Sequence, residues 1–325
     1  MIDNLKLRNI FSRLIYKYFF SKKKIVGNNL VALDYHYFID NSITYPKLGL
    51  EVSYPTLDKQ LKILSELFEP LETDYALTTF LKKKSNNSKP GILISIDDAD
   101  KSIKYALRYF IKYQIPITLF VPIGLCIDKN KKDGKRSRIL CRYRELFNSR
   151  KRLTLEEKSK FFDLIINSSF QQLYSYEIQL GFPKKEKNIT ASRELLSLKE
   201  LKEISKNPLV TIASHSMSHN LLAELPENWL KWEIKKSKEY VKALQGKYDL
   251  FAYPFGHKKS YNLKVKKLLH EEGIKYAFTT SSEIIKKNSD FLTLGRAPML
   301  NFDNQDYICG SAYGAFHYWD KILLR

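Results

Sequence analysis

Two neighbouring carboxylates, Asp97 and Asp98, close an apolar run in the segment ISIDDAD (94–100). Adjacent acids at the end of a strand repel one another, and burying them costs free energy unless a cation or a proton compensates. A second group, His215 and His219, follows the run LVTIAS within ASHSMSH (213–219). Two imidazoles four residues apart on a turn or helix start can meet one metal ion. A third segment, FAYPFG (251–256), ends a short apolar run with proline and glycine. These fix a tight exit and leave a backbone N–H able to face a substrate oxygen. Taken singly, each has an ordinary structural explanation: a polar strand exit that caps the next helix, a chance histidine pair, a turn. Taken together, an Asp and two His make an open zinc-type site that keeps a position for water. The other Asp is then left to act as a base, and the set equips metal-assisted hydrolysis.

Groups of this kind need a scaffold that brings strand ends together. From residue 30 the chain alternates short apolar runs with amphipathic stretches. NLVALDY (29–35), GILISI (91–96), ITLFVPIG (117–124), LVTIAS (209–214), FAYP (251–254) and YAFTT (276–280) read as strands. Helical spacing covers 55–68, 102–114, about 227–245 and 261–272. Strand–helix alternation implies parallel strands and an α/β fold, and about seven units in one sheet favour a barrel over an open sheet. All three chemical segments fall just after strands, at the end where parallel α/β folds carry their active sites. Residues 127–196 break the rhythm. They are polar, Lys-rich and helical in pattern, begin with a turn-like DKNKKDGKRS, and read as an insertion between two core units.

The composition bounds the alternatives. With 325 residues, 44% apolar and 28% charged, the chain is long enough for a large core and too apolar for wholesale disorder. No apolar run approaches the ~20 residues of a membrane-spanning helix. The formal charge of +20 invites an anionic partner. Lysine far outnumbers arginine, however, and no nucleic-acid-binding motif occurs, so no nucleic-acid partner is expected. A lysine-rich solvated surface and contact with a membrane or acidic glycan remain the two readings of the charge. The three cysteines, Cys126, Cys141 and Cys309, are scattered, which argues against a disulfide framework or a Cys-based zinc site and fits a reducing compartment. Residues 1–29 read as a basic amphipathic segment with Ile10, Leu14 and Tyr18 on one face and Phe11 beside them. It suits a peripheral contact with an anionic membrane or packing on the domain, rather than a signal peptide. Residues 30–325 then form the catalytic domain.

The segment SIDDADKSIKYALRYFIKYQIPITLFVPIG (95–124) resembles the first motif and following unit of polysaccharide deacetylases of the NodB-homology type, carbohydrate esterase family 4. HSMSH (215–219) is similar to that family's HSxxH motif and YPFG (253–256) to its third. The resemblance spans roughly residues 30–300 apart from the insertion. It implies a distorted (β/α) barrel and removal of an acetyl group, N-linked more often than O-linked, from a sugar. By the same resemblance Asp98, His215 and His219 are the ligands of a divalent metal, zinc for preference. Asp97 is the catalytic base, and the Phe255 N–H helps hold the oxyanion. The family's general acid lies in an LxxH motif that is usually near the C-terminus. Here it occurs early, as Leu33-Asp34-Tyr35-His36, as in circularly permuted relatives. His36 is therefore the expected acid, with His257 and His317 in reserve.

Three departures stand out. Ala99 replaces the glycine that follows the acid pair. Ala252 stands where many members carry an arginine that orients the base, and Arg296 in LGRAP is the expected substitute. The family's Asp-Trp fourth motif is not evident. These departures keep open a second reading, a silent carbohydrate-binding protein on the same fold. For the enzyme, the expected partner is an acetylated sugar or glycan, with a lipid- or nucleotide-linked sugar as one form of it, met in the cytoplasm or at the inner membrane face.

Overall fold

The computed structural model describes residues 17, 30–40, 49–82, 89–142, 153–179 and 194–313. The expected N-terminal amphipathic helix lies outside them, as does His317.

The elements in chain order are β1 (Leu30–Tyr35), β2 (Tyr37–Ile39), β3 (Glu51–Ser53), α1 (Tyr54–Leu67), β4 (Glu69–Pro70), α2 (Thr73–Thr78), β5 (Gly91–Asp97), α3 (Ile103–Lys112) and β6 (Ile117–Val121). There follow α4 (Ile123–Cys126), α5 (Lys132–Cys141), α6 (Leu155–Asn167), α7 (Phe170–Gln179), α8 (Leu198–Ile204), β7 (Val210–Ser214) and α9 (Glu227–Ala243). Last come β8 (Leu250–Ala252), α10 (Leu263–Glu271), β9 (Tyr276–Phe278), β10 (Ala297–Pro298) and α11 (Gln305–Ala312). Every strand and helix expected from periodicity between residues 29 and 280 is present, with ends shifted by a few residues. The strands β2, β3, β4 and β10 are two or three residues long, too short for an alternation to register.

The chain divides into two compact units. Unit 1 holds residues 1–119, 206–211 and 278–325, and unit 2 holds 120–205 and 212–277. The division falls inside β6, β7 and β9. In unit 1 the strand order is β10-β1-β5-β6-β7, with β4 also on β5. Both β10 and β5 run parallel to β1. All six residues of β1 and all seven of β5 are buried, as a parallel sheet covered on both faces requires. The β1–β5 register is one for one from Leu30 opposite Gly91 to Tyr35 opposite Ile96. Carried one residue on, it sets His36 beside Asp97. On one flank, α1 starts with the Ser53 hydroxyl accepting from the Thr56 N–H and a proline in its first turn. Its apolar stripe Leu57, Leu61 and Leu64 is wholly buried.

In unit 2 the order is β6-β7-β8-β9. Residues 127–196, expected as an insertion, hold α5, α6 and α7. The DKNKKDGKRS stretch, expected as a turn, is largely helical, because α5 begins at Lys132 within it. Asp133 in its first turn pairs with Arg136 at 3.3 Å, and Arg138 donates to the carbonyls of Leu125 and Ile127. Gly134 is tolerated inside the helix because the backbone passes close by: a Cβ there would sit 2.3 Å from the Asp128 carbonyl oxygen. The helix α6 begins with a capping box, Thr154 and Glu157 each accepting from the other's backbone N–H. Its Phe162 stacks on Trp229 of α9 at 5.7 Å between ring centres.

Candidate active site

In unit 1 the strand ends gather three carboxylates, one imidazole and one guanidinium. Asp97 closes β5, and Ser95, two residues earlier, points to the same face. Arg296 lies just ahead of β10, is 1% exposed, and reaches both. Its Nη1 donates to Asp97 Oδ1 at 2.7 Å and to Ser95 Oγ at 2.9 Å, and its Nη2 donates to Asp97 Oδ2 at 2.8 Å. Its Nε donates to the Thr279 carbonyl at 3.2 Å. This two-pronged contact fixes the plane of the Asp97 carboxylate. Burial works against the Arg296 charge, yet the carboxylates of Asp97 and Asp34 outweigh it and push the guanidinium pKa up.

Asp34 was not singled out by sequence reasoning. It is 1% exposed, and neither of its oxygens has a hydrogen-bond partner. The Arg296 Nη2 stands 3.9 Å from its Oδ2. Burial raises its pKa, against the lowering effect of Arg296 and His36. Asp34, His36 and Asp97 each offer an atom within 4.8 Å of the others. His36 therefore lies close to Asp97. The signal for Asp34 was in the sequence: an acid inside the run LVALDY is an anomaly in a strand buried on both faces.

Past Asp97 the backbone turns sharply. Asp98 has φ 69° and Ala99 φ 56°, two successive non-glycine residues in the left-handed region. Ala99 thus holds a left-handed conformation that glycine adopts at lower cost. The Asp100 carboxylate accepts from the Ser102 N–H at 2.8 Å, and the Ser102 hydroxyl accepts from the Phe38 N–H, tying the turn to β2.

In unit 2 the histidine segment leaves β7. The His215 N–H donates to the Val121 carbonyl at 2.9 Å. Its ring Nδ1 lies 2.8 Å from the Ala252 carbonyl. A carbonyl only accepts, so Nδ1 carries the proton and Nε2 keeps its lone pair, the tautomer a metal ligand needs. His215 is 2% exposed. The His219 ring lies 4.9 Å from that of His215, and the Phe255 ring lies 4.9 Å from His219 on another side. Ser216 (φ 66°) and His219 (φ 55°) are both left-handed, so the chain coils tightly between the two imidazoles. Phe255 also has a positive φ, 66°, followed by Gly256 at 62°, and its side chain is 45% exposed. His257 is exposed, and its Nδ1 accepts from the Lys259 N–H. Asp98 belongs to unit 1 and the two histidines to unit 2.

A family model described as "Polysaccharide deacetylase" matches residues 84–277, more than half of the chain. The chain belongs to the polysaccharide deacetylase family. The matched region holds Asp97, Asp98, His215, His219 and Phe255, while His36 and Arg296 lie outside it. No curated protein matches the sequence. Among solved structures, the Streptococcus pyogenes deacetylase PplD in complex with acetate is 17% identical with a TM-score of 0.60, covering 88% of this chain and 99% of that one. BC0361, a polysaccharide deacetylase from Bacillus cereus, is 18% identical with a TM-score of 0.58, covering 88% of this chain and 69% of that one. IcaB from Ammonifex degensii is 17% identical with a TM-score of 0.55, covering 88% and 97% respectively. The deacetylase fold is therefore shown, a (β/α) barrel of the NodB-homology type. Among the described residues no helix is long and apolar enough to cross a membrane.

Proposed function

We propose that this deacetylase-family chain is a metal-dependent hydrolase that removes an acetyl group, N-linked by preference, from a sugar of a surface glycan. The observation that carries the reading is the Asp97–Arg296 pair: a base candidate held by both oxygens at a strand end, with His36 beside it. The residues that would hold the metal are Asp98, His215 and His219. The donor set of one carboxylate and two imidazoles suits zinc, and the His215 tautomer fits a ligand. Bound zinc would polarise a carbonyl and lower the pKa of its water to about 7.

The chain's own groups would then divide the work. Asp97 accepts the proton of the attacking water. Arg296 keeps the carboxylate from rotating away. The Phe255 N–H donates to the substrate oxygen as charge develops there, a contact worth about 3 kcal/mol where such donors are removed. His36 gives a proton to the departing amine nitrogen, which an amide needs more than an ester does. A net charge of +20 favours a substrate carried on a phosphate-bearing lipid or nucleotide.

The test pairs metal content with acetate release. Purified protein is analysed for zinc, then assayed on acetylated amino-sugar oligomers beside an Asp97→Asn variant. Stoichiometric zinc and acetate release lost in the variant are expected. Protein that takes up no zinc when zinc is supplied would overturn the metal reading. Full turnover in Asp97→Asn would overturn the role of the base.

A further inference from the structure

The segment between the two histidines is held by a carboxylate that the proposed chemistry does not use. Glu233, in the second turn of α9, is 0% exposed. Its Oε2 accepts from the backbone N–H groups of Met217 and Ser218, both at 2.9 Å. Its Oε1 accepts from Trp229 Nε1 at 2.9 Å, from the Ser218 hydroxyl in a short bond, and marginally from Asn220 Nδ2 at 3.5 Å. Every partner is neutral. A buried carboxylate costs several kcal/mol unless its lone pairs are filled, and here the peptide N–H groups of the histidine loop fill half of them.

The opposite face of the loop is held as well. The N–H groups of Ile123 and Gly124, at the start of α4, donate to the carbonyls of Ser216 and Met217 at 3.1 and 3.0 Å. Gly124 has to be glycine, since a Cβ would meet the Met217 carbonyl oxygen at 2.7 Å and the Ser137 hydroxyl at 2.0 Å. Peptides 216–218 are thus bonded on both faces, and the left-handed residues Ser216 and His219 stand at either end of that clamp. A free loop would relax both of these conformations.

We infer that Glu233 is a positioning residue that presets the spacing of His215 and His219 for a divalent metal by accepting the Met217 and Ser218 amides. It touches neither imidazole and acts through the backbone between them. The effect on metal binding rests on the metal reading above; the clamp itself does not. Glutamine at 233 would keep one acceptor oxygen and turn an NH2 group towards the Trp229 N–H, which can only donate, so the side chain cannot satisfy both sides.

The experiment uses the full chain. Zinc affinity is measured by chelator competition for wild type, Glu233→Gln and the double variant Trp229→Phe/Ser218→Ala, each checked for folding by circular dichroism. Loss of a supporting contact around a metal site typically weakens binding about 10–100-fold, and Glu233→Gln is expected in that range. The double variant removes two donors to Oε1 and leaves both amide bonds, so its affinity should stay within about threefold of wild type. Amide exchange of Met217 and Ser218 in zinc-free protein supplies a readout without metal. Both amides should exchange as slowly as those of β7 in wild type, and at least about tenfold faster in Glu233→Gln. Folded Glu233→Gln with wild-type zinc affinity would overturn the inference, as would a tenfold loss in the double variant. If Glu233→Gln does not fold, fast exchange of these amides in the wild type is the overturning result. Wild type that binds no zinc but protects both amides would sink the metal reading and keep the clamp.

Discussion

Replacing Arg296 with methionine keeps most of the side-chain volume and deletes a buried cation. The guanidinium donates to both oxygens of Asp97 and stands 3.9 Å from Asp34, and both acids are almost wholly buried. At an effective dielectric of about 20, one pair of unit charges about 4 Å apart interacts by about 4 kcal/mol. Removing one partner of a buried pair typically costs about 3–5 kcal/mol, because the other charge is stranded. Arg296→Met is therefore expected to lose about 4 kcal/mol at about pH 8. The loss also has a pH signature. Without the arginine, the burial that raises the Asp34 pKa loses its main opponent, and Asp34 holds its proton more tightly when folded than when unfolded. A carboxylate whose folded pKa is raised penalises the folded state above its unfolded pKa, and the penalty disappears as the pH falls. The slope is at most about 1.4 kcal/mol per pH unit for each group. Relative to wild type, the variant should regain at least about 1.5 kcal/mol between about pH 8 and pH 5. Urea unfolding across that range, with slopes compared to confirm two-state behaviour, reads both quantities. A loss under about 1 kcal/mol, or an equal loss at both ends, would refute the reasoning. Arg296→Lys keeps the charge without the fork and should fall between the two.

Asp34→Asn should flatten the pH dependence in wild-type protein. The raised Asp34 pKa means that stability falls as pH climbs above its ordinary 3.8, and the substitution removes that fall; parallel stability–pH curves for the two proteins would count against it. His215→Ala and His219→Ala should each abolish stoichiometric zinc uptake while the circular dichroism spectrum persists, and zinc retained by both would remove the histidines from the site. Gly134→Ala forces a methyl against the Asp128 carbonyl and should cost about 1–3 kcal/mol in urea unfolding, against a gain of up to about 1 kcal/mol for the same change in an open helix. Ala99→Gly relieves a left-handed alanine worth about 1–2 kcal/mol and loses one buried methyl worth about 0.8, so it should leave stability within about 1 kcal/mol of wild type; a larger loss would show that the Ala99 methyl, and not its backbone, sets the turn.

What was legible in the sequence was what short-range pattern carries. Asp97, Asp98, His215, His219 and Phe255 each follow an apolar run, and the strand ends place them where the runs predicted. Arg296 was found only because another position lacked an arginine, since no local pattern links residues that meet through β10 and β5. Asp34 stands inside the Leu33-Asp34-Tyr35-His36 motif, and the apolar pattern of β1 by itself gives no sign that its carboxylate is buried. Glu233 was hidden in the same way. It shares the buried stripe of α9 with Trp229, Leu230 and Ile234, where a charged residue at core spacing signals a polar network. The first turns of α5 read as a turn because Asp133, Gly134 and Ser137 are weak helix formers, while the contacts that hold the helix come from elsewhere in the chain.

The two bonds between Arg296 and Asp97 join residues 199 positions apart. A ribosome therefore delivers Asp34 and Asp97, with the apolar strands around them, long before their counter-ion exists. A nascent chain can pair β1 with β5 but cannot dry the shared face without stranding two negative charges. The entropy of closing so long a loop is a minor obstacle, because it rises by only about 0.6 kcal/mol for each doubling of length. The electrostatic penalty is the larger one, and it is lifted in a single step when the C-terminal segment docks. Synthesis order thus makes the Asp97 end of the sheet the last part to seal. A chain truncated ahead of Arg296 is expected to fail in maturation, exposing its central strands to aggregation, instead of yielding a shortened protein with reduced activity.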